Sequence, residues 1–127
     1  MLQAINTPNA PAPIGPYSQA IKAGNMLFIS GQIALNPETG VLEIADRKAE
    51  THRVMLNLKA ILLAAGATFD NVVKSSIFLS DMGDFALVNE IYALYVNEAT
   101  PPARETVQVS VLPKNVNVEI SVIAVLN

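Results

Sequence analysis

Arg104 and Glu119, in the last quarter of this chain, are the two residues whose type and setting best suit small-molecule chemistry. Arg104 follows Thr100-Pro101-Pro102-Ala103, where the prolines fix φ and keep the residues before them extended, so the side chain leaves a stiff stem. A guanidinium is planar, permanently charged and able to grip a carboxylate through two parallel hydrogen bonds. Glu119 lies between Val118 and Ile120 in an apolar stretch, where burial disfavours the charged form and raises the pKa unless a partner compensates. A glutamate of that kind near an arginine suits general acid or base work on a carboxylate-bearing molecule. Each residue also has a plain structural reading, as a surface or ion-paired arginine and as a glutamate paired with a lysine or arginine.

Other residues are weaker candidates. Ser30-Gly31-Gln32 closes an apolar stretch, and a glycine there lets a ligand approach the backbone, although a bulge or close packing explains it equally. Tyr17, after Gly15-Pro16, is able to close a pocket, but core packing is the favoured expectation. Asn89 interrupts an apolar helix and can bond a backbone group or a loop. His52 has no second ligand at helical spacing and reads as a surface or helix-packing residue. Phe28, Phe69, Phe78 and Phe85 read as core. With one histidine and no cysteine, Cys/His zinc sites, disulfides and thiol nucleophiles are excluded, so the expectation is no metal and no cofactor.

These residues need elements to position them. At 127 residues the chain has the size of one domain, and a single domain over 1–127 is expected. Apolar residues make up 51% and charged ones 15%, a surplus of apolar surface that suits a subunit interface. No apolar run approaches the ~20 residues of a membrane span, and the first residues show no secretory signal, so a cytoplasmic protein is expected. Net charge is −3, and the eight basic residues are scattered from Lys22 to Lys114, which disfavours nucleic-acid partners.

Four prolines and a glycine within residues 7–16 predict an ordered loop. Strands are expected at Tyr17–Ala23 and Met26–Ser30, joined by a tight turn at Gly24-Asn25, with a further turn at residues 36–40. Val54, Leu58, Ile61, Leu62 and Ala65 recur at helical spacing, while Arg47, Lys48, Glu50, Arg53 and Lys59 fall mostly off that face. They predict an amphipathic helix from Asp46 to Ala65, capped by Asp46 and ended by Gly66. A strand at Val72–Leu79 follows. A second helix is expected at about Asp84–Asn97, with rows Phe85, Val88, Tyr92, Tyr95 and Leu87, Ile91, Leu94, one for the sheet and one with room for a neighbour. Alternation in Glu105–Val111 and Val116–Val122 predicts two half-buried strands. Joined as a hairpin through Pro113-Lys114, they would bring Arg104, Thr106, Gln108, Glu119 and Ser121 onto one polar surface, with the helices on the other. The order of elements implies an α+β layer with helices on one side of a mixed or antiparallel sheet.

Taken together, Ala12-Pro13-Ile14-Gly15-Pro16-Tyr17-Ser18-Gln19-Ala20, Phe28-Ile29-Ser30-Gly31-Gln32, Pro101-Pro102-Ala103-Arg104 and Leu112-Pro113-Lys114 through Val118-Glu119-Ile120 resemble the signature segments of the RidA (YjgF) family over nearly the whole chain. The resemblance implies a chorismate-mutase-like α+β fold, two helices on one face of the sheet, and a homotrimer with sites in clefts between subunits. It implies hydrolytic deamination of reactive enamines and imines such as 2-iminobutanoate and 2-iminopropanoate to 2-oxo acids. Arg104 would then bind the substrate carboxylate, Glu119 would position or activate water, and Tyr17, Ser30, Gly31, Asn89 and Thr106 would line the pocket. A non-catalytic binding or regulatory module for 2-oxo acids, and an RNA-cleaving protein as described for some relatives, are the alternatives.

Thr106 departs from the family pattern, standing where many members carry cysteine. Threonine keeps a small hydrogen-bonding side chain but forms no ready anion. Imine hydrolysis is therefore expected to survive with threonine here and thiol-dependent behaviour to be absent; an inactive parent beside an active Thr106→Cys variant in a steady-state assay would overturn that expectation.

Overall fold

The computed structural model describes residues 1–127. Six strands form one sheet: β1 Leu2–Ile5, β2 Ala20–Ala23, β3 Met26–Gln32, β4 Val72–Leu79, β5 Ala103–Gln108 and β6 Val118–Val125, in the spatial order β1-β2-β3-β6-β4-β5. Only β4 and β5 run parallel. Helices α1, Arg47–Ala64, and α2, Phe85–Tyr92, lie on one face, so the layer is α+β with a mixed sheet and two helices. The strand β1 is an addition to the sequence reading; it pairs antiparallel with β2.

Local signals were followed closely. Gly24, at φ +61, turns β2 into β3. Asp46 caps α1 by accepting a hydrogen bond from the Ala49 N–H at 2.8 Å, and Gly66 takes the left-handed conformation after its end, at φ +76. The strand β2 starts only at Ala20, because Gln19 turns inward. Its amide accepts from the Thr7 N–H at 2.7 Å and donates to the carbonyls of Thr7, Ala10 and Pro11, stapling the proline-rich loop to the sheet. Helix α2 stops at Tyr92, short of the expected Asn97, and a separate turn at Met82–Asp84, capped by Asp81, precedes it.

The expected hairpin of the last two strands does not form. β6 pairs with β3 on one side and β4 on the other, which leaves β5 at the sheet edge. Alternation marks a strand but not its partner, and here the connection runs through buried Leu112 and Val116 instead of a tight turn. The register then fixes the faces: Ser75 of β4 is opposite Arg104 and Val122, whereas Phe78 is opposite Val107 and Glu119. Arg104 and Thr106 therefore share the helix-covered face with Val118, Ile120 and Val122, while Glu119 and Ser121 face the other way. The core lies under the helices, where α1 buries Val54, Met55, Leu58, Ile61 and Leu62 against β3 and β6. On the open face Phe28 is 45% exposed and Phe78 half-buried, and Phe85 lies at the rim of α2. Of the four phenylalanines expected in the core, only Phe69 is there.

Glu50, expected on the polar side of α1, is 0% exposed. Its carboxylate accepts from the backbone N–H groups of Asn117 at 2.7 Å and Val118 at 3.0 Å and from the Asn117 side chain at 2.9 Å, with Arg47 at 3.0 Å. Burial pushes its pKa up, and the Asn117 N–H, the Arg47 charge and the Val118 N–H pull it back in part. Glu50→Gln sets an NH2 group against those donors and is expected to lower unfolding free energy by about 1–3 kcal/mol. An unchanged midpoint in denaturant titration would show that the carboxylate is dispensable.

Candidate active site

The two leading candidates occupy separate half-sites. Arg104, half-buried near the start of the edge strand β5, reaches α2: its Nη1 donates to Asn89 Oδ1 at 2.5 Å. Its Cζ lies 5.6 Å from the centroid of the Phe85 ring and 5.2 Å from that of Tyr92. Two residues further along the same face, the Thr106 hydroxyl is buried without a hydrogen-bond partner. This half-site thus has a cation with free donors beside an unused hydroxyl, which suits a small ligand bearing a carboxylate.

The second half-site is on the opposite face. Glu119 is half-buried, and burial alone pushes its pKa above the ordinary 4.5, with no charge or hydrogen bond to offset it. No ion pair within the chain involves it. Gly31 lies against it in a bulged stretch of β3, between Ile29 and Gln32. A Cβ on Gly31 would come within 2.9 Å of Glu119 Cδ, so the glycine makes room for the carboxylate. Gly31 also lines a cleft of about 40 Å³ with Tyr17, Gln32 and Lys114. Tyr17 is 49% exposed at this cleft, so it is not the core residue that its apolar ring suggested. Ser30 donates its hydroxyl to the Ser18 carbonyl at 2.6 Å, fastening β3 to the segment that carries Tyr17.

The structure thus joins Arg104 with Asn89 and places Thr106 on the same face, and it sets Gly31 against Glu119 and beside Tyr17 in the cleft, but it does not bring the two sets together. One shared polar surface in a single chain, as the hairpin would have made, is ruled out by the strand register. His52 Nδ1 is 2.8 Å from the Tyr95 hydroxyl and packs edge-on to that ring, as a helix-packing histidine does. No cluster of His, Cys, Asp or Glu side chains is placed to hold a metal ion. Sequence reading missed Phe85 and Tyr92 as neighbours of Arg104. The signal was present in their i, i+4, i+7 spacing with Asn89, which puts all three on one side of α2.

Residues 7–126 match the family described as Endoribonuclease L-PSP. A RutC family protein of Pyrococcus horikoshii is 55% identical over 98% of each chain. The 2-iminobutanoate/2-iminopropanoate deaminase of Escherichia coli is 47% identical, again over 98% of each. The crystal structure of E. coli TdcF with bound serine superimposes with a TM-score of 0.92 at 41% identity, covering 98% of this chain and 99% of that one.

Gly31→Ala is expected to fold and to displace the Glu119 carboxylate, and any turnover that depends on that carboxylate should fall by roughly 10–100-fold. A crystal structure of the variant with Glu119 unmoved, or unchanged turnover, would contradict this.

Proposed function

The chain belongs to the RidA (YjgF, endoribonuclease L-PSP) family, and from that premise we propose that it hydrolyses reactive 2-imino acids and their enamine tautomers, such as 2-iminobutanoate and 2-iminopropanoate, to 2-oxo acids and ammonia. The observation that carries this reading is Glu119: a half-buried carboxyl of raised pKa, without an internal cation, beside a glycine that makes room for it. Arg104 supplies the complementary feature, a guanidinium for the carboxylate common to all such substrates. A relative crystallised with serine adds weight, since serine also carries an α-carboxylate.

The chemistry proceeds with Arg104 fixing the carboxylate and so the position of the adjacent C=N carbon. An enamine first takes a proton at its β-carbon to become the imine. With the imine nitrogen protonated, Glu119 accepts a proton from water as the oxygen bonds to the carbon. It then returns that proton to nitrogen and takes the hydroxyl proton as the C–N bond breaks, so that ammonia leaves as the carbon–oxygen double bond forms, and the last proton passes from Glu119 to the released ammonia or to solvent. One water enters for each ammonia released. Tyr17, Ser30, Gly31, Asn89 and Thr106 border the ligand in this reading, and neither a metal nor a cofactor takes part.

Because Arg104 and Glu119 face opposite sides of one sheet, we assign each site to two copies of the chain, Arg104 from one and Glu119 from its neighbour, in a homotrimer. Support comes from the open sheet face, where Phe28 and Val107 are 45% and 43% exposed and want covering. The expected place of this activity is the cytoplasm.

Imine generated by an amino-acid oxidase and trapped with semicarbazide provides the assay. The parent protein is expected to accelerate imine loss, and Arg104→Ala and Glu119→Gln each to abolish the acceleration. Mixed and reassembled, the two inactive variants should regain about a quarter of the sites, the statistical share that combines an intact arginine with an intact glutamate. With both residues drawn from one chain, nothing would be regained. As a base Glu119 must be ionised, so kcat/KM of the parent protein should fall on acidification through a midpoint above the ordinary 4.5. No acceleration by the parent protein would favour a binding module that kept the pocket.

A further inference from the structure

We propose that the face of α2 formed by Phe85, Asn89 and Tyr92 is a positioning device for Arg104, holding its guanidinium so that its free donors meet a carboxylate edge-on. The proposal rests on the deaminase reading and adds Phe85 and Tyr92, which need never touch the substrate.

The three residues stand at i, i+4 and i+7, so one side of the helix addresses the same guanidinium three times. The rings of Phe85 and Tyr92, at 5.6 and 5.2 Å from Cζ, lie within the ~6 Å range of cation–π attraction. Asn89 Oδ1 takes one of the five N–H donors at 2.5 Å and leaves four for a ligand. An amide oxygen suits this task, because it accepts a hydrogen bond without cancelling the positive charge that the substrate must feel.

Tyr92 is itself anchored. Its buried hydroxyl donates to Ser75 Oγ at 2.8 Å, and Ser75 is the β4 residue directly opposite Arg104 in the sheet. The supporting ring and the arginine it supports are therefore fixed to the same rung. Burial also raises the pKa of this phenol, keeping the hydroxyl protonated and able to donate. An unrestrained arginine side chain loses much rotamer freedom when it grips a ligand; here that loss is taken during folding, before substrate arrives. Phe85, at the helix rim, has little to do with the core, so its closeness to Arg104 has no competing role in burying the sheet.

Imine hydrolysis by the intact protein tests this with Phe85→Leu, Tyr92→Phe and Tyr92→Leu, each made also in an Arg104→Lys background. Phe85→Leu and Tyr92→Leu should raise KM roughly five- to thirty-fold with a much smaller change in kcat. Tyr92→Phe, which keeps the ring, should stay within about threefold of the parent. In the lysine background, where no planar cation remains, Phe85→Leu should add almost nothing. Phe85 is at the surface, so its variant remains informative even if Tyr92→Leu fails to fold. A parent that hydrolyses imine and is impaired by Arg104→Lys, yet shows unchanged KM in Phe85→Leu, overturns the proposal, as does an equal effect of Phe85→Leu in both backgrounds. A parent without turnover defeats the deaminase reading instead. The same cycle is then read as the Kd for 2-oxopropanoate, where non-additivity sustains the positioning role and additivity removes it.

Discussion

The carboxylate of Glu50 determines where β6 begins. It holds the backbone N–H groups of Asn117 and Val118 at 2.7 and 3.0 Å, and so fixes the first residues of the strand that lies between β3 and β4. Side chains of a strand alternate, so a slip of one residue would turn Glu119 inward and Ile120 outward. The apolar face, Val118, Ile120, Val122 and Ala124, resists such a slip by burial beneath α1. Glu50 resists it by direction, because a slipped strand would carry away the two N–H groups from which its buried carboxyl now accepts. A buried acid on one helix thus governs the orientation of a different acid 69 positions later in the chain, the difference between 119 and 50.

That orientation sets the functional problem. With the register fixed, the strongest cation and the least compensated carboxylate of the candidate site are separated by the thickness of the sheet. The separation has a chemical use. Were Arg104 and Glu119 neighbours in one chain, they would pair, the glutamate would lose its raised pKa, and the arginine would have less charge to offer a ligand. Keeping them apart within one chain leaves each poised. The neutral amide of Asn89 belongs to the same logic, since an aspartate there would neutralise Arg104 before any ligand did.

Much of this could be read from the sequence, and the divide follows sequence distance. The cap at Asp46, the turn at Gly24, the end of α1 at Gly66 and the limits of β4 all depend on residues within a few positions, and each was legible. Partners could not be read. Alternation in β5 and β6 marks two strands but gives no sign that β4 separates them, so the assumed hairpin put Arg104 and Glu119 on one face. Glu50 looked like any charged residue on an amphipathic helix, because the groups that receive it are 67 and 68 positions away. Tyr17 and Phe28 looked like core for a related reason: an aromatic ring at the rim of a site or on an open sheet face has the same composition signal as a buried one. The prolines before Arg104 were legible as a stiff stem, whereas the rings that aim its far end belong to another element.

Family membership alone does not choose an activity, since one fold carries many; the charge distribution does choose between RNA and small acids. Binding a polyphosphate backbone draws on several uncommitted cations on one surface. Of the eight lysines and arginines here, Arg47, Lys48 and Lys74 are in ion pairs with Glu50, Glu90 and Glu105, Arg53 is bonded to Asn57, and Arg104 to Asn89. Lys22, Lys59 and Lys114 remain, spread along a chain of net charge −3. The only histidine, the usual acid or base of RNA cleavage, is engaged by Tyr95 in helix packing. A single carboxylate needs much less: one guanidinium with open donors, held still. Arg104, bonded once to Asn89 and flanked by two rings, has that form, and the economy of charge that disfavours a polyphosphate partner is no obstacle to a small acid.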